Sequence, residues 1–68
     1  MTRSILLNGE ARELTAGLSV LGLLEELGRH PRTVAVELNG EILARGRFGE
    51  VELAAGDRVE IVGFVQGG

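Results

Sequence analysis

Sixty-eight residues make one domain, and a chain this short buries only about 60% of the surface its unfolded form exposes, so the core must be efficient. The 44% of apolar residues, mostly Leu and Val, suffice for one small core, and the absence of cysteine excludes disulfides, thiolate metal centres and a cysteine nucleophile. Seven basic against ten acidic residues give a charge of −3 and the only aromatics are Phe48 and Phe64, a composition that argues against nucleic-acid binding and suits either docking onto a basic patch of a partner or plain solubility.

Ser4 to Leu7 is short and apolar and ends at Asn8-Gly9, the preferred pair for a two-residue hairpin because both central positions need positive φ. Glu10 to Leu14 reads as the return strand, and Thr15-Ala16-Gly17 as a loop. Ser19 is placed to cap a helix, although Gly22 stands where a capping-box Glu would be. Val20, Leu21, Leu23, Leu24 and Leu27 recur at spacings of three and four, with Glu25 and Glu26 on the outer side. Gly28 reads as a left-handed C-cap and Pro31 prevents continuation. Thr33 to Leu38 alternates, with Val34, Val36 and Leu38 on one face and Ala35 and Glu37 on the other. Asn39-Gly40 is a second hairpin turn returning through Glu41 to Ala44. Arg45 to Glu50 reads as a polar loop carrying Phe48, and Val51 with Leu53 as a brief apolar stretch. Gly56-Asp57 turns into a last strand, Arg58 to Val62, whose Val59 and Ile61 face the core.

The order is hairpin, helix, hairpin, loop, strand. One helix cannot cover two sheet faces, so a single sheet wrapped around it is the economical arrangement. A parallel pairing of the last strand with the first would put the run toward the C-terminus at the sheet's centre, as in an α+β roll of the β-grasp, or ubiquitin-like, type. The expected sheet is mixed and four- to five-stranded, with residues 1–63 as the domain and 64–68 as a flexible tail. No signal-peptide pattern precedes the first segment and no apolar run approaches the ~20 residues of a membrane span, which makes a soluble cytoplasmic protein the expectation.

The side chains that could carry chemistry do not assemble into a site. His30, beside Pro31, reads as a solvent-exposed turn residue. Adjacent Glu25 and Glu26 point in different directions from a helix, so they read as a solvated face. Arg45 and Arg47, flanking Gly46, could contact a phosphate but read more simply as a solubilising loop. No cofactor or metal site is expected. The sequence ends instead on Gly67-Gly68. A carboxylate on two glycines is uncrowded and can be threaded through a narrow channel into another protein's active site; a frayed end is the plain alternative.

Together, Ile5-Leu6-Leu7-Asn8-Gly9-Glu10, the leucine-rich helix, Val34-Ala35-Val36-Glu37-Leu38-Asn39-Gly40-Glu41 and the Val59-Glu60-Ile61-Val62 strand leading to Gly67-Gly68 resemble the ThiS family, the bacterial sulfur carriers of thiamine biosynthesis. The likeness runs end to end. It implies a β-grasp carrier, a co-substrate rather than an enzyme, whose Gly68 carboxylate is adenylated and converted to a thiocarboxylate that donates sulfur to the thiazole of thiamine. Gly67 would complete the tip, and Phe64, Val65 and Gln66 would form the tail that enters partner active sites. The implied partners are a ThiF-type adenylating enzyme that consumes ATP, a ThiG-type thiazole synthase and, indirectly, a cysteine desulfurase or other sulfur donor. Two positions depart from the family: Phe48 stands where a tryptophan or other large aromatic is common, and Gly63 where many relatives carry a bulkier apolar residue. Two other readings fit the same residues. One keeps the carrier but changes its pathway, to the small subunit of molybdopterin synthase, tRNA thiolation or ubiquitin-like protein conjugation. The other is a non-covalent β-grasp interaction module whose glycines are incidental.

Overall fold

Two Asn-Gly turns organise the sheet. In each, both central residues take positive φ, 50° and 85° at Asn8 and Gly9, 54° and 87° at Asn39 and Gly40, which matches the twist of the strands they join. The first joins β1 (Ser4–Leu7) to β2 (Glu10–Glu13), and the second joins β3 (Val34–Leu38) to β4 (Glu41–Leu43). The structure, a computed structural model, describes residues 3–64. Between the hairpins lie helix α1 (Val20–Glu26) and a 3-10 turn over Pro31–Thr33. A second 3-10 turn, Arg45–Arg47, and a loop lead to β5 (Arg58–Gly63).

β5 runs parallel to β1 on one side and antiparallel to β3 on the other, so the sheet order is β2-β1-β5-β3-β4. Among the described residues, five strands and one α-helix form the mixed β-grasp roll expected from the sequence, with β5 at its centre.

The helix is short but well closed. Ser19 Oγ accepts from the Gly22 amide at 2.9 Å, while the amides of Val20 and Leu21 donate to the carbonyls of Val51 and Phe48. The first-turn amides, which have no partner inside a helix, are thus satisfied by a cap and by the loop that crosses it. At the other end, Gly28 (φ 71°) lets its amide reach Glu25 O while the Arg29 amide reaches Leu24 O, the paired bonds of a Schellman closure.

Val20, Leu23 and Leu24 are fully buried, and they meet Ile5 of β1, Val34 and Val36 of β3 and Val59 of β5. Phe48 and Leu53 are buried beside them, although neither lies in a strand. The segment from Arg45 to Glu50, which the sequence presents as a polar loop, therefore has a 3-10 turn at its head and a core residue at its centre. Phe48 is 2% exposed and anchors this segment in the core. Val51 packs against the core and Leu53 is part of it, on a loop tied to the helix start by backbone bonds from Val20 to Val51 and from Leu53 to Leu18 that flank a bridge of Ser19 with Glu52. No helix among the described residues is long and apolar enough to cross a membrane.

Candidate functional site

The candidate site is the strand that leads to the tail. β5 is the central strand of the sheet, with β1 on one side and β3 on the other, and its Val59 is fully buried. Leu6 and Leu7 of β1 stand opposite Arg58 and Val59, while β3 faces β5 from Leu38↔Val59 to Val34↔Gly63.

The turn asparagines extend this hold. Asn8 Oδ1 accepts from the Ile61 amide at 2.8 Å and its Nδ2 donates to Ile61 O at 3.4 Å, so one side chain stands in for a backbone pair where β1 has already turned away. Asn39 does the same at the start of the strand: its Oδ1 accepts from the Arg58 amide at 2.9 Å and its backbone amide donates to Arg58 O at 2.7 Å. Asn39 Nδ2 also donates to Asp57 Oδ1 at 3.1 Å, and Asp57 Oδ2 accepts from the Ala54 amide at 2.8 Å. Asx side chains pair readily with nearby backbone, which is why they favour turns. Here they reach a strand up to 53 residues away.

Past Ile61 the hold is one-sided. Gly63 pairs with Val34, and the Phe64 amide donates to Thr33 O at 2.8 Å. Phe64, named in the sequence as the first tail residue, is half exposed, and with Ile42, Phe48 and Arg45 it lines an open groove of about 280 Å³ at the β3–β4 edge. Gly63, in register with the buried Val34, turns its Cα toward the core side of the sheet. A Cβ built there would come within 2.5 Å of Arg29 Nη2, so a guanidinium occupies the space beside this glycine. Val65, Gln66, Gly67 and Gly68 lie outside the described residues.

The other candidates resolve into structural parts. His30 caps the first 3-10 turn, its Nδ1 accepting from the Arg32 amide at 3.1 Å. Glu26 meets Arg12 at 3.3 Å across the helix and β2, and Glu25 is exposed without forming a dyad. Arg47 pairs with Glu50, while Arg45 Nε donates to Pro31 O at 3.2 Å. The residues that sequence reasoning missed are Asn8, Asn39 and Thr33 as holders of β5, and Arg29 at the base of the tail. The asparagines were visible only as turn formers, because their second role depends on which strand the turn comes to rest beside.

The ThiS family model matches residues 5–68. The chain belongs to the ThiS family. It is 42% identical over 62 residues to the sulfur carrier protein ThiS of Thermus thermophilus, covering 91% of this chain and 95% of that one. Two thiazole synthases are also similar: that of Paramagnetospirillum magneticum is 44% identical over 64 residues and that of Magnetococcus marinus 45% over 62. The chain spans only 20% and 19% of the length of those two proteins. A crystal structure of the thiamine biosynthesis protein ThiS from Geobacter metallireducens superimposes with a TM-score of 0.80 at 35% identity, covering 96% of this chain and 99% of that one. The ThiS resemblance drawn from the sequence, its β-grasp fold and its sulfur-carrier character in thiamine biosynthesis are borne out at the level of the family.

Proposed function

We propose that this chain carries sulfur as a thiocarboxylate on Gly68 and delivers it to the enzyme that builds the thiazole of thiamine. The observation that carries this reading is that the family match extends through Gly67-Gly68, the continuation of a strand held at the centre of the sheet.

The chemistry follows from the carboxylate. Ionised at neutral pH, it is a poor electrophile, so it must be activated. A carboxylate oxygen attacks the α-phosphate of ATP, pyrophosphate leaves, and an acyl-adenylate forms on an adenylating enzyme of the ThiF type. Hydrosulfide attacking that carbonyl expels AMP and leaves the thiocarboxylate directly. A protein persulfide, supplied by way of a cysteine desulfurase, gives an acyl disulfide that a second thiol cleaves to the same product with formation of a disulfide. The chain contributes no catalytic group to these steps; it is the co-substrate. With no cysteine, it also offers no internal thiol to capture the activated carbonyl. The tail residues Phe64, Val65, Gln66 and Gly67 would occupy the partner's channel. A ThiG-type thiazole synthase is the proposed acceptor, in keeping with the thiazole synthases among the relatives.

The test is intact-mass analysis after incubation with ATP, the activating enzyme and a sulfur source, followed by thiol alkylation. The expected result is one alkyl adduct on the fragment holding Gly67-Gly68, lost completely when Ala is appended after Gly68. An adduct-free chain beside an activating enzyme that demonstrably turns over ATP would overturn the reading in favour of a non-covalent interaction module.

A further inference from the structure

All seven basic residues are arginines, in a chain whose formal charge is −3. Two of them are occupied in ion pairs, Arg12 with Glu26 and Arg47 with Glu50. Three others, Arg29, Arg32 and Arg45, collect at the end of the sheet from which β5 leaves. Arg29 lies against the Cα of Gly63, the last residue of the strand. Arg32 sits in the 3-10 turn whose final residue, Thr33, accepts the Phe64 amide. Arg45 is tied by its Nε to Pro31 O of that same turn and forms part of the groove wall beside Phe64. All three are exposed, and none has an ion-pair partner among the described residues.

The acidic balance of the whole sequence therefore gives the wrong sign for this surface. We propose that Arg29, Arg32 and Arg45 form a cationic collar around the base of the tail, and that it docks against an acidic rim at the mouth of the channel in the activating enzyme. The proposal rests on the carrier reading, since only a tail inserted into a partner brings its base against that partner's surface. Guanidinium favours this role over ammonium in one respect: its planar fork matches carboxylate geometry and it is less strongly hydrated. The half-exposed Phe64 and the apolar groove adjoin the collar at Arg45, setting an apolar patch beside a charged margin, the usual anatomy of a protein interface. Charges at such a margin act chiefly on encounter rate and salt dependence.

The experiment measures association of the full chain with its ATP-dependent activating enzyme by stopped flow, at low and at physiological ionic strength. Three proteins are compared: the native chain, a triple variant Arg29→Gln, Arg32→Gln, Arg45→Gln, and the same triple with Lys. The Gln triple is expected to associate on the order of tenfold more slowly at low salt and to lose most of its salt dependence, while the Lys triple stays within about twofold of native. Native association by a folded Gln triple would overturn the collar, as would equal slowing by the Gln and Lys triples, which would point to geometry rather than charge. Should circular dichroism show the triple misfolded, Arg32→Gln alone decides the matter, because the Arg32 side chain makes no hydrogen bond among the described residues; it should slow association about twofold and flatten the salt slope. Mass analysis of sulfur loading separates the two proposals. A native chain that never loads overturns the carrier reading and the collar with it, whereas a native chain that loads while the Gln triple associates normally overturns the collar alone.

Discussion

The two halves of β5 are held differently. From Arg58 to Ile61 the strand is bonded on both sides, by β1 and the Asn8 side chain on one and by β3 and Asn39 on the other. From Val62 to Phe64 the partners among the described residues lie on the β3 side alone, ending with the single bond from Phe64 to Thr33. The first half is part of the core; the second is a ramp. A partner that takes hold of the exit segment can draw on residues whose backbone is committed on one side only, leaving the buried centre undisturbed. The difference lies in packing and hydrogen bonding.

The comparison is most severely tested at Val59. Val59→Ala opens a cavity at the fully buried centre of the two-sided half and should cost about 2–3 kcal/mol. In a domain this small that lowers the melting temperature by roughly 10–20 °C, which a thermal scan by circular dichroism would read. A shift of only a few degrees would mean the centre of the strand is not the anchor described. A sharper probe is Asn8→Gly, which keeps the positive φ of the turn but removes the side chain that pairs with Ile61. It should cost about 1 kcal/mol and speed hydrogen exchange at the Ile61 amide, leaving the Arg58 amide on the Asn39 side unchanged. Equal acceleration at both amides would show that the turn, not the clamp, had been damaged. At the exit, Phe64→Ala should change stability by less than about 0.5 kcal/mol while slowing sulfur loading at limiting enzyme. A large loss of stability there would erase the distinction between the halves.

What the sequence made legible was local. Asn-Gly at two places, the Ser19 cap, the three-four spacing of the leucines, the glycine closure at Gly28 and the alternation of Val34 to Leu38 each carry a conformational preference within a few residues. The structure follows every one of them. The parallel pairing of β5 with β1 was legible only as the arrangement most economical for one helix and one sheet. Phe48 and Leu53 were harder, because a residue buried from a loop has no period to betray it; their burial is fixed by backbone bonds to the helix start, Leu21 to Phe48 and Leu53 to Leu18. The arginine cluster was hidden for another reason. Net charge sums over the chain, whereas a docking surface depends on where the turn at Pro31 and the turn at Arg45 come to rest. The terminal glycines were the plainest signal of the site, and they are read from sequence and family alone.

The central place of β5 also bears on biosynthesis. Its neighbours β1 and β3 are made long before it, yet they cannot pair with each other across the gap it fills, and the contacts it closes reach from Arg58 back to Leu6. Closing so distant a pairing carries the loop entropy of the whole intervening chain, so sheet formation must wait for this strand. A product cut short before Arg58 therefore offers a partner no finished sheet to grip.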